Sequence, residues 1–154
     1  MPVTVTIEIS RKFIVNAPLA KVFAVLADVP ESASHFPRVE SLTPLGGNAY
    51  EWKMRKNGFD KHAIQIVYAS TYRVDKKAHR VEWSPVKGVG NSQVQGFWEL
   101  SSADGSTECR FHTQGVLELP LPGLLKMAVG PVVKHEFNAL VDQYVENLQN
   151  ALAS

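Results

Sequence analysis

Residues 120–153, PLPGLLKMAVGPVVKHEFNALVDQYVENLQNALA, decide the fold. Leu125, Val129, Val132, Val133, Phe137, Leu140, Val141, Tyr144 and Leu148 form one broad apolar stripe at helical spacing. The spacing predicts one long C-terminal helix. Pro131 has no amide proton, and its ring crowds the preceding turn. The helix is therefore expected to kink at Gly130-Pro131 or to restart with Pro131 at its first position. On that reading Gly123–Val129 is a mobile gate and Phe137–Leu148 a fixed support.

Upstream of this stretch the apolar residues alternate, as they do in strands with one buried face. Tyr50, Trp52 and Met54 share one parity and Glu51, Lys53 and Arg55 the other. Ile64, Ile66, Tyr68, Ser70, Tyr72 and Val74 form the next face, and Val81 and Trp83 the one after it. Val94, Gly96, Trp98 and Leu100 follow, then Cys109, Phe111, Thr113, Gly115, Leu117 and Leu119. Turns are expected at Gly46-Gly47-Asn48, Asn57-Gly58, Asp75–His79 and Asp104-Gly105, with a loop from Pro85 to Gly90.

At the N-terminal end Ile7, Ile9, Phe13 and Val15 alternate, with Arg11 as an exception on the same face. Asn16-Ala17-Pro18 then opens a helix with the stripe Leu19, Val22, Phe23, Leu26. A second short helix follows Pro30 and stops before Pro37. Segregated strands and helices argue for an α+β fold. The expectation is a curved antiparallel sheet of about six to seven strands, wrapped around the C-terminal helix, with two short helices after strand one.

Bulk properties narrow the function. The 154 residues suit one domain, 1–154, and 16 basic against 15 acidic residues give no excess for nucleic acid. The single cysteine, Cys109, permits no internal disulfide, and no apolar run resembles a signal peptide, so a cytoplasmic setting is expected. Leu119–Val133 is too short and too broken to span a membrane.

Three passages carry a family resemblance. They are Asn16-Ala17-Pro18 with Val22-Phe23 and Leu26-Ala27-Asp28, then His35-Phe36-Pro37-Arg38-Val39, then Leu119-Pro120-Leu121-Pro122-Gly123-Leu124-Leu125 with the helix after it. Together they resemble the START-like, helix-grip superfamily, in its polyketide cyclase/dehydrase and lipid-transport branch. The resemblance implies a deep apolar cavity between sheet and long helix. It transfers no catalytic residue, because the superfamily shares no catalytic motif.

The residues themselves offer little chemistry. His135-Glu136-Phe137-Asn138-Ala139 begins like a zinc-protease helix but lacks the second histidine, so no metal is expected. No cofactor is expected: Gly88-Val89-Gly90 is too short for a dinucleotide fingerprint and precedes a strand. Cys109 and His112 have opposite parity, which argues against a nucleophile–base pair.

The inward aromatics carry the functional reading, as either core or cavity wall. Candidate ligand contacts are Arg11, Tyr50, Trp52, Ile66, Tyr68, Tyr72, Trp83, Trp98, Phe111, Leu125, Val129, Val133 and Phe137. Gly96 and Gly115, mid-strand on the same faces, suggest a bend, a bulge or room for something else. Arg11 either sits at a strand end or meets an anionic ligand head. Asn57–Lys61, Val86–Asn91 and Gly123–Gly130 are expected to gate access. The expected partner is a small hydrophobic molecule: a lipid, polyketide, isoprenoid or aromatic compound. The alternative is a cyclase or dehydratase on the same fold, with Tyr68, Tyr72 or Arg11 polarising carbonyls. A third reading is an interaction module whose same surface binds another protein; the sequence shows no obvious partner-binding tail and leaves any protein partner unknown.

Overall fold

Strand β1 (Val3–Val15) buries Val3, Val5, Ile7 and Ile9 on one face and exposes the residues between them, as alternation demands. The computed structural model describes residues 3–59 and 62–153, with side chains described for all of these except 57–59 and 62. Helices α1 (Leu19–Ala27) and α2 (Val29–Ala33) follow β1. Asp28 links them: its carboxylate accepts the Glu31 amide and caps α2, with Pro30 in the first turn.

The remaining strands are β2 (Val39–Gly46), β3 (Ala49–Met54), β4 (Asn57–Phe59), β5 (His62–Ile64), β6 (Val67–Asp75), β7 (Arg80–Gly90), β8 (Ser92–Ala103) and β9 (Ser106–Leu119). Seven of them form one antiparallel sheet in the order β1-β9-β8-β7-β6-β3-β2, while β4 and β5 pair separately. Strands β1 and β2, consecutive in the chain, therefore lie at opposite edges, and α1 and α2 connect those edges. A 3-10 turn (Gly123–Leu125) leads into helix α3 (Lys126–Leu152). The curved sheet closes on α3, which buries Val129, Val141, Tyr144, Leu148 and Leu152.

The α+β helix-grip expectation holds, and four local expectations are corrected. Asn57-Gly58 is not a turn; it lies in β4 and pairs with β5, and the connecting residues 60–61 are outside the described residues. Pro85–Gly90 is not a loop but the bulged end of β7. Tyr68 pairs with Gly90 and Ser70 with Pro85, so β7 carries extra residues between those pairs. Asn91 pins this bulge by accepting from the Val67 amide (3.0 Å) and donating to the Gln65 carbonyl (2.7 Å). A segment tied this way makes a poor gate.

Helix α3 does not restart at Pro131; it runs through it. The missing amide would have met the carbonyl of Met127, whose side chain is 91% exposed, so water satisfies that end of the helix. Val132, expected in the apolar stripe, is 45% exposed and lies off the buried face.

The core has two clusters. One gathers Val22, Leu26, Trp98, Leu100, Cys109, Tyr144 and Leu148; the other gathers Val3, Val5, Trp52, Ile66, Leu117 and Val129. Phe36, Tyr72 and Phe137 pack against both. Their shared position marks the site.

Candidate functional site

Where the two clusters meet, the side chains do not close completely. A cavity of about 80 Å³ lies between the sheet and α3. Trp52, Ile66, Tyr68, Tyr72, Trp83, Trp98, Phe111 and Phe137, all expected from strand parity or helix spacing, line it. Each strand delivers its aromatics to the same side because alternate residues share a face. A second, outer pocket of about 70 Å³ is lined by Val129 and Val133 with Arg38, Arg55, Met54 and Leu140. Ile66 and Phe137 border both spaces.

Three expected contacts are not brought to either space. Arg11 donates to Asp142 (2.7 Å) and Asn138 (2.8 Å) on α3, so its long side chain leaves the apolar face and fixes the helix instead. Tyr50 packs edge-on against Tyr72 and on the second core cluster. Leu125 packs on the second core cluster. Both parts of α3 reach these spaces: Phe137, Val141 and Tyr144, on the segment expected to be support, line the inner cavity, and Val129 and Val133, around Pro131, line the outer pocket.

The inner cavity has an apolar lining with a few hydroxyls. Trp52 Nε1 donates to Tyr72 Oη at 2.8 Å, which leaves the Tyr72 proton free for a further acceptor. Tyr68 stacks on Trp52 with rings 11° from parallel, and its hydroxyl has no hydrogen-bond partner among the described residues. Ser32 and Tyr144 hydrogen-bond to each other, and one of their two protons remains for a third group. No Asp, Glu, His, Lys or Arg is among the described lining residues.

Burial holds these phenols protonated. It pushes Tyr68 well above the usual phenol range, and the neighbouring Tyr72 and Tyr144 push it further. Burial also raises Tyr72, against the opposing hydrogen bond from Trp52. Tyr144 is pushed up to about 12, chiefly by burial, with its hydrogen bond to Ser32 acting the other way. At neutral pH all three are therefore hydrogen-bond donors and poor bases.

Ser32, Phe36 and Tyr144 were not singled out as contacts from the sequence. Ser32 and Tyr144 are 112 residues apart, and neither has a motif; only the packing of α2 against α3 joins them. The two mid-strand glycines make room for neighbours, not for a ligand. An added Cβ at Gly96 would sit 2.8 Å from the Trp83 ring, and at Gly115 it would sit 3.1 Å from Ile7.

Cys109 is buried and its thiol is raised to about 12 by that burial, as expected of a core residue. No group of three or more metal-ligating side chains occurs among the described residues. No helix among them is long and apolar enough to cross a membrane.

A sequence model of the family described as polyketide cyclase / dehydrase and lipid transport matches residues 6–153. No curated protein sequence matches the chain. Among solved structures, the Zhui aromatase/cyclase from Streptomyces sp. R1128 is 15% identical, with a TM-score of 0.60 over 96% of this chain and 92% of that one. A START superfamily protein from Mycobacterium smegmatis is 12% identical, with a TM-score of 0.63 over 94% and 96% of the two chains. Norcoclaurine synthase from Thalictrum flavum is 17% identical, with a TM-score of 0.60 over 96% and 87%. At these identities the likeness is one of fold.

Proposed function

We propose that this chain, which belongs to the polyketide cyclase / dehydrase and lipid transport family, binds the apolar body of a small oxygenated molecule between its sheet and α3. The single observation that carries this reading is the lining of the inner cavity: aromatic and aliphatic walls, no charge among the described residues, and the hydroxyls of Tyr68, Tyr72 and Tyr144. Apolar surface supplies affinity, and a few convergent donors select a ligand with a carbonyl or hydroxyl. Burying 200 Å² of such a ligand contributes about 5 kcal/mol before the costs of association.

Size sets a condition on this reading. Ligand pockets span roughly 300–1,000 Å³, and the inner cavity measures about 80 Å³. Binding therefore requires the wall to move. Ile66 and Phe137 are the side chains to move, because displacing them joins the inner cavity to the outer pocket.

The same donors favour a second reading, a cyclase or dehydratase in which Tyr68 or Tyr72 polarises a ketone. The lining offers hydrogen-bond donors and, among the described residues, no side chain that is a base at neutral pH. A reaction there would need its proton acceptor from the substrate or from water.

Tyr68 gives the cleanest test, since its hydroxyl makes no bond among the described residues that a substitution would break. Tyr68→Phe is expected to weaken binding of 2-acetylnaphthalene by about 2- to 10-fold in calorimetric titration. Binding of 2-ethylnaphthalene, which has the same shape without the carbonyl, should not change. Equal changes for both compounds would remove Tyr68 as a polar contact.

A further inference from the structure

The geometry points to the outer pocket as a subsite for the anionic end of an amphipathic ligand, a carboxylate or phosphate, whose apolar remainder passes Ile66 and Phe137 into the inner cavity. This inference rests on the proposed ligand site and extends it to the head group. The two spaces differ in charge among the described residues. The inner lining has none there, whereas the outer pocket carries Arg38 and Arg55 against one described acid, Glu136.

Arg38 and Arg55 are cross-strand neighbours. Beyond the Val39–Met54 pair the Arg55 amide donates to the Arg38 carbonyl at 2.8 Å. Like charges set opposite each other repel. Neither guanidinium lies within salt-bridge distance of a carboxylate among the described residues, although Arg11, Arg80 and Arg110 each do. Arg38 also adopts a left-handed backbone, φ 63°, a conformation that non-glycine residues hold at a cost. Two cations on neighbouring backbone positions beside an apolar opening, neither paired among the described residues, fit one anion between them, in the bidentate manner arginine favours.

The wall between the spaces is thin. Ile66 and Phe137 each contribute to both linings, and Phe137, which packs on both core clusters, is only half-buried, so its ring borders open space as well as core. A chain entering past Phe137 would leave its head beside Arg38 and Arg55 and place its tail among Trp52, Tyr68 and Trp83. Both arginines are exposed, so the attraction is screened by water and salt and adds selectivity more than affinity.

The test titrates the full chain with decanoate, decyl phosphate and 1-decanol at low salt, reading tryptophan emission. At least one of the two anions is expected to bind about 3- to 10-fold tighter than the alcohol. A preference for decanoate would assign a carboxylate head, and one for decyl phosphate a phosphate head. The Arg38→Gln/Arg55→Gln double variant should lose this preference while binding 1-decanol as before, and 0.5 M salt should reduce it. If 1-decanol binds saturably but no anion is preferred, or if the preference survives in the double variant, the head-group subsite is wrong and the cavity reading stands. If none of the three compounds produces a saturable change, both are wrong.

Discussion

Trp98→Ala is expected to lower the stability of the fold by about 3–5 kcal/mol, the usual cost of truncating a large buried aromatic. Trp98 is 3% exposed and sits at the centre of the aromatic core. Its ring lies 4.7 Å from Phe111, 5.8 Å from Phe13 and 6.0 Å from Tyr144, centre to centre. The substitution removes contacts to β1, β9 and α3 together, and close-packed neighbours refill the space only in part. For a chain of this length the melting temperature should fall by about 10 °C. The vacated volume adjoins the inner cavity, so indole should restore part of the stability of Trp98→Ala by mass action and stabilise that variant more than the parent protein. A loss below about 1 kcal/mol would mean that Trp98 is not the hub of this core.

Gly96→Ala should cost about 3 kcal/mol or more, a large effect for one methyl group. The added Cβ would stand 2.1 Å from the His112 carbonyl oxygen and 2.8 Å from Cζ2 of Trp83. Gly96 pairs with Thr113 on β9 and with Trp83 on β7, so strands on both sides must shift to admit it. The shift on the β7 side moves Trp83, a wall of the inner cavity, and ligand affinity should fall with stability. Gly123→Ala is the control, because a Cβ there meets nothing within 4 Å. Urea unfolding that gives the same midpoint for both variants would contradict the close approach of β8 to its neighbours at Gly96.

Most of the fold was legible because parity and turn chemistry are local. Alternation placed Trp52, Trp83, Trp98 and Phe111 on inward faces, and all four line the cavity. Asn48 and Asp104 hold the positive φ values that their turns require, 64° and 51°. Local signals misled where a breaker was compensated at a distance. Pro85, Gly88 and Gly90 read as a loop, but the Asn91 side chain holds the bulge they form to β6. Pro131 read as a break, but the carbonyl it leaves unpaired lies on an exposed turn. Arg11 read as a cavity residue from parity alone, which does not account for a side chain long enough to reach Asp142.

The site was less legible than the fold. Which phenols share a cavity depends on strands and helices far apart in the chain, as Ser32 and Tyr144 show. How much space lies between them depends on packing to within a methyl group, and periodicity carries no such information.

The central claim is that a ligand occupies the space between sheet and α3. The chain has three tryptophans, Trp52, Trp83 and Trp98, and all three line that space, so their emission reports on it directly. Titration with 2-acetylnaphthalene, read by tryptophan emission, should give a saturable change with a stoichiometry of one. Val94→Phe, which fills the inner cavity from β8, should abolish it while the fold remains intact by circular dichroism. A linear, unsaturable change that is the same in the parent protein and in Val94→Phe would contradict the claim.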